Sequence, residues 1–156
     1  MRLTTRTSLA LRTLMVCAVN PDQIIRKADV ATRINASENH LAQVVNQLGH
    51  LGLIHTLRGR RGGFLLARPA AEISVGAVLR AFEADLPFME CFTDDNTCPL
   101  KGVCRIGPHL ARAVEAFYAT LDPVTLDDLI DGNEGLETML DMAVPAFRPL
   151  NLACPR

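Results

Sequence analysis

The stretch RKADVATRINASENHLAQVVNQLGHLGLIHTLRGRRGGFLLA, residues 26–67, decides the fold. Its first part, residues 26–34, is a short helical pattern with Ala28, Ala31 and Ile34 apolar. Asn35-Ala36 makes a tight connection. Ser37 then stands as an N-cap, its hydroxyl available to a free amide of the first turn, where the helix dipole also favours Glu38. This next helix runs to about His50 on a buried stripe of Leu41, Val44, Val45 and Leu48, and Gly52 closes it. Two segments of strand character follow, Leu53–Leu57 and Phe64–Ala67. Between them lies Arg58-Gly59-Arg60-Arg61-Gly62-Gly63, a hairpin loop that permits positive φ.

Working outward, residues 5–19 read as a helix with Leu11, Leu14, Met15 and Ala18 at helical spacing, ended by Asn20-Pro21-Asp22. Downstream, Ser74 caps a helix over Val75–Asp85 with Val75, Val78, Leu79 and Phe82 on one side, and Pro87 breaks it. Residues 88–108 are irregular. A long helix is expected from about Pro108 to Leu121, striped by Leu110, Val114, Phe117 and Leu121. Thr125 and Asp128 resemble a capping box opening a short helix to Ile130. The last twenty residues hold three prolines and are expected to fray. The fold class is therefore mainly α with a small β-hairpin, a winged helix-turn-helix followed by a long helix.

Composition narrows the function. A chain of 156 residues, 49% apolar and 21% charged, makes one compact domain or a small domain with an appendage. No apolar run approaches the roughly 20 residues of a membrane span, and the opening MRLTTRTSLALRT is a poor secretion signal. The expected compartment is the cytoplasm, where five cysteines point to metal or redox chemistry rather than disulfides. Six Phe, one Tyr and no Trp argue against a base-stacking sheet. No paired carboxylates, nucleophile–base set or nucleotide loop stands in context, so no enzyme is expected.

The net charge of −1 hides a split. Residues 1–70 carry ten basic and three acidic residues, net +7; residues 71–156 carry six and fourteen, net −8. The basic half contains the helix-turn-helix and the hairpin, which points to a polyanion. Ser37, Glu38, Asn39, His40 and Gln43, with Asn46 further along, are suited to base edges in a major groove. Arg58, Arg60 and Arg61 suit phosphates or a minor groove, and Arg2, Arg6, Arg26 and Lys27 add backbone contacts.

A second constellation is CFTDDNTCPLKGVC, residues 91–104. Six residues separate Cys91 from Cys98 and five separate Cys98 from Cys104, wider than the Cys-x-x-Cys pairs of zinc ribbons. The spacing suits a loop around an iron–sulfur cluster. A zinc site completed by His109, a redox disulfide and plain buried thiols are the other readings. Cys17 reads as core, and Cys154 lies in the Pro-rich tail and is no ligand. His40, His50 and His55 fill structural or surface positions.

The opening MRLT, the segment SENHLAQVVNQLGHLGLI, the wing RGRRGGFLLARP, EISVGAVLRAFE and ECFTDDNTCPLKGVC together resemble the iron–sulfur winged-helix repressors, the family of the NsrR, IscR and RirA regulators. The likeness covers roughly residues 1–130, with ECF…NTCPLKGVCR and AFYATLDPVTLDDL most similar to the NsrR type. It implies a homodimer on palindromic operator DNA, a long helix crossing to the second subunit, and no membrane. It implies Cys91, Cys98 and Cys104 as ligands of a [4Fe–4S] cluster, with [2Fe–2S] as the alternative. It implies a winged helix-turn-helix domain over 1–86, a cluster loop over 87–107, a dimerisation helix and C-terminal segment over 108–140, and a flexible tail over 141–156. Nitric oxide is the implied signal, with iron supply, as in RirA-like repressors, the alternative. Three departures stand out. Ser8 replaces an aspartate that NsrR-like proteins use as fourth ligand, Gly107 replaces an IscR-like histidine, and Ala42 replaces an IscR-like glutamate in the recognition helix. The fourth ligand is thus open among water, Asp94, Asp95, His109 and a residue of the second chain.

Overall fold

A computed structural model describes residues 3–83 and 87–143. The expected end of the fourth helix at Asp85, Cys154 and most of the tail lie outside the described residues. Among the described residues the helices are α1 (Thr5–Val19), α2 (Lys27–Arg33), α3 (Glu38–His50), α4 (Val75–Glu83), α5 (Ile106–Leu121) and α6 (Glu134–Leu140). The strands β1 (Ile54–Leu57) and β2 (Gly63–Leu66) pair antiparallel, with Ile54 opposite Leu66 and Leu57 opposite Gly63. The chain thus has the winged helix-turn-helix order its sequence announces.

The core lies where α1, α2, α3 and the hairpin meet. Leu14, Val16, Val30, Leu41, Val44 and Leu48 are wholly buried there, with Phe64 of β2 closing the top. Ile25 clips the wing to the body: its N–H donates to the Phe64 carbonyl and its carbonyl accepts from the Phe64 N–H, both at 2.9 Å. Thr4 caps α1, its Oγ accepting from Thr7 N at 3.2 Å. The Glu83 carboxylate at the end of α4 accepts from Thr4 N at 2.9 Å, from Thr4 Oγ at 3.0 Å and from the buried Thr7 hydroxyl. These bonds fix the start of α1 against the end of α4.

Several expectations are corrected. The buried face of α1 is Leu9, Ala10, Leu14, Val16 and Cys17, while Leu11, Met15 and Ala18 are half-buried at its flank. Neighbours on two sides of α1 widen its buried arc beyond the stripe read from spacing. In α2, Ala28 is exposed and Val30 takes its place in the core. Ser37 occupies the N-cap of α3 but its hydroxyl makes no capping bond. The α5 helix starts at Ile106, two residues before Pro108, because a proline in the first turn forfeits no intrahelical bond. The capping box is present, with Thr125 N and Oγ both 2.7 Å from Asp128 Oδ2, but it opens a 3₁₀ turn over Asp127–Leu129 rather than a helix.

The segment expected to fray is packed as far as Met142. Asn133 caps α6, and Leu140 is buried. Asn20, itself 2% exposed, donates from Nδ2 to the carbonyls of Val16 and Leu140 at 2.7 and 2.9 Å, and its Oδ1 accepts from Met142 N at 2.8 Å. Arg33 of α2 donates to the Met139 carbonyl at 3.2 Å. The end of the fold is therefore sewn to its first two helices.

Candidate nucleic-acid interface and cysteine loop

The recognition helix α3 is amphipathic. Its inner side is Leu41, Val44 and Leu48; the opposite side, one helical turn after another, carries Asn39, Gln43 and Asn46, all exposed. Ser37, Glu38 and His40 are exposed too, but by helical periodicity Glu38 and His40 flank that line. Glu38 turns toward α2, its Oε2 3.7 Å from Lys27 Nζ. Gln47 is structural: its Oε1 accepts from Arg6 Nη2 at 2.7 Å and its Nε2 donates to the Ala81 carbonyl at 3.3 Å. It ties α3 to α1 and α4, and nothing local in the sequence separates it from the other amides.

The wing projects Arg58, Arg60 and Arg61, all exposed, from a loop closed by Gly62 N donating to the Gly59 carbonyl at 2.9 Å. Gly59 has φ 109°, a conformation in which a side chain is strained, as the loop's reading anticipates. Arg26 is exposed at the N-cap of α2.

Cys91, Cys98 and Cys104 lie on the loop between α4 and α5, all as free thiols, with Cys98 half-buried and the others exposed. Local bonds shape this loop. Glu90 accepts from Thr97 N at 2.8 Å and from Thr97 Oγ at 2.6 Å, which holds its carboxyl below the ordinary carboxylate value. Cys98 N donates to Asn96 Oδ1 at 2.9 Å, and Cys104 N donates to the Leu100 carbonyl at 3.0 Å. Among the described residues no three His, Cys, Asp or Glu side chains stand together as a metal site, so the loop does not bring the three thiols into one ligand set. Their chemistry nevertheless fits an iron–sulfur cluster: three soft donors on one accessible loop shaped by the bonds of its own turns. His109 Nδ1 accepts from Arg112 at 2.8 Å, and Ser8 Oγ accepts from Arg12 at 2.8 Å. Cys17 is different, since burial pushes its thiol up to about 12 and leaves it inert.

A family model described as an iron-dependent transcriptional regulator, Rrf2, matches residues 3–132. The chain belongs to the Rrf2 family. It is 41% identical over 144 residues to the NsrR regulator of Halalkalibacterium halodurans, covering 91% of this chain and 99% of that one. It is 41% identical over 137 residues to the NsrR repressor of Streptomyces coelicolor, covering 86% and 92%. Among solved structures, the oxidized form of Staphylococcus aureus CymR matches with TM-score 0.65 and 28% identity over 84% of this chain and 97% of that one. T. potens IscR, at 23% identity and TM-score 0.65 over 86% and 90%, shares the fold. As an Rrf2 regulator the chain is no enzyme. Among the described residues no helix is long and apolar enough to cross a membrane.

In this Rrf2 chain the joint between α4 and α5 has no local signal in the sequence. Arg80 donates to both Glu115 oxygens at 2.9 and 2.7 Å and to Asp122 Oδ2 at 2.9 Å, and lies 4.6 Å from the centre of the Tyr118 ring. Its bonds hold the Glu115 carboxyl below the ordinary value. Beside it a methyl group on Gly76 would stand 2.6 Å from Asp122 N and closer still to its Oδ1, so only glycine lets α4 and the end of α5 approach. Ser74 Oγ donates to the Asp122 carbonyl at 2.8 Å. Beyond this joint α5 has no fully buried residue along its sixteen.

Proposed function

We propose that the chain is a dimeric iron–sulfur repressor that binds palindromic operator DNA and releases it when nitric oxide reacts with a [4Fe–4S] cluster on Cys91, Cys98 and Cys104. The observation that carries this reading is the position of the three free thiols on the one loop joining the winged helix to α5, a helix without a buried residue. The stripe of Leu110, Val114, Phe117 and Leu121 is only half-buried in its own chain, which leaves apolar surface for a second copy to cover. Residues 1–86 thus serve as the DNA-reading domain, 87–107 as the cluster loop and 108–140 as dimer helix and closing segment. The amides of α3 enter the major groove, and Arg58, Arg60 and Arg61 meet phosphate or minor groove beside Arg26 and Lys27.

When bound, the cluster supplies the iron that nitric oxide attacks. The protein's part is mechanical. The loop spans from α4, locked to α1 through Glu83, to α5, locked to α4 through Arg80. A change in loop geometry shifts α5 and the separation of the two recognition helices, which two half-sites require to be fixed. The loss of affinity is a population shift between two dimer geometries; a coupling of about 3 kcal/mol corresponds to roughly 150-fold.

The test is an anaerobic native mass spectrum followed by DNA binding. The dimer should carry two [4Fe–4S] units, and Cys98→Ala should lose visible absorbance and leave nitric oxide without effect. A dimer of zinc-bound chains, or a Cys98→Ala protein that stays coloured and gas-responsive, overturns the reading. The iron dependence in the family description supports a second reading, release on cluster loss when iron is scarce. An iron chelator and nitric oxide, compared in one binding assay, separate the two.

A further inference from the structure

The outer line of α3 carries amides and no cation. Its sequence, ENHLAQVVNQLGH, contains neither Lys nor Arg. Asn39, Gln43 and Asn46 follow one another at spacings of four and three on the exposed side, and among the described residues none of their side chains has a hydrogen-bond partner. Of the other polar groups of this helix, Gln47 bridges Arg6 and Ala81 and Glu38 faces Lys27, while Ser37 and His40 are exposed to either side of that line. The three free amides span about 10 Å along the helix, the length of about three base-pair steps.

A carboxamide offers one acceptor and one donor side by side. Adenine presents the complementary pair in the major groove, N7 accepting and N6–H₂ donating, whereas guanine presents two acceptors and calls for a cation. On guanine an amide sets oxygen against oxygen and leaves one bond unmade. Ala42, half-buried at the edge of the same face, suits the thymine methyl of an A·T pair. The arginines sit instead on the wing, and a narrow minor groove, which A·T tracts provide, is where arginine is drawn most strongly.

We propose that this chain reads adenine through Asn39, Gln43 and Asn46, so that the operator base pairs facing α3 are A·T pairs. The proposal rests on the DNA-binding reading above and specifies its target. Gln43, central in the line, dictates one adenine in each half-site, and its replacement changes which sequence is bound rather than whether DNA is bound.

The experiment is selection from a random-sequence duplex library by the anaerobically purified full-length chain. The wild type is compared with Gln43→Ala, Gln43→Arg and Arg60→Ala. The wild type should enrich a palindrome with adenines at symmetric major-groove positions. Gln43→Ala should lose preference at one pair per half-site, a loss of discrimination of about 5- to 150-fold there. Gln43→Arg should turn that pair to guanine. Arg60→Ala should weaken binding to all sequences with the consensus unchanged. Guanine at the helix-facing positions, or a consensus indifferent to both Gln43 substitutions, overturns the proposal and leaves DNA binding standing. The absence of any enriched duplex overturns DNA binding, and the proposal with it.

Discussion

Asn20 shows how one side chain holds distant parts of a fold. Its carboxamide makes three hydrogen bonds, two of them to the backbone of Leu140 and Met142, inside a site almost closed to water. Removing it leaves a buried carbonyl and a partly buried N–H without partners, and unpaired buried groups cost more than the bonds themselves contribute. Asn20→Ala should cost about 2–3 kcal/mol. In a thermal melt this is a drop of roughly 5–10 °C for a domain of this size, and protease should cut first in 134–143. A melt unchanged within error removes the clamp from the account. The residue itself gives no warning. Asn20 before Pro21 reads as a helix stop, which it is, and nothing local reveals that its amide also reaches across 120 positions.

At the scale of elements, the joint between α4 and α5 carries its own reporter. Tyr118 is the chain's single tyrosine and there is no tryptophan, so near-ultraviolet circular dichroism watches the ring under Arg80. The Glu115 carboxyl is held below its ordinary value of 4.5 by Arg80, so the pairing is complete at neutral pH and fades as pH falls through the lowered value. The tyrosine signal should therefore be flat from about pH 8 to 5 and change only below about 4.5. Arg80→Ala should abolish that acid transition, and a transition that survives in the variant would mean another group reports. What the sequence disclosed follows from range. The helices α1 to α4 and the hairpin carry period and punctuation within a few residues, so their order was readable. The Arg80 pairs join residues 35 and 42 positions apart, and charges that meet at such separations leave no local pattern. The helix α6 escaped for a related reason: seven residues are too short for periodicity to stand out, and a tertiary clamp rather than propensity holds them. Of the site, the amides and the arginines announce themselves by composition and spacing. That Gln47 is spent inside the protein emerges only once α1 and α4 are in place.

At the scale of the whole molecule, the basic first half and acidic second half divide the labour, one toward a polyanion and the other away from it. The helix α5 lies in the acidic half, and its half-buried apolar stripe should join two copies. Val114→Asp should give a monomer by analytical ultracentrifugation and lose affinity for a two-half-site duplex, while its helical circular dichroism stays intact. A dimer that tolerates a charge at position 114 places the subunit contact elsewhere. The clamp of the C-terminal segment on α1 also has a meaning for synthesis. The first helix leaves the ribosome early, yet the Asn20 amide that closes it finds two of its three partners in residues separated from it by 120 and 122 positions. Contacts of such sequence separation form late, so the DNA-reading body cannot be completed on the nascent chain until nearly all of it has been translated. A message cut short after α5 therefore yields an unfinished reader with an open seam along α1, exposed to quality-control proteases before it ever reaches an operator.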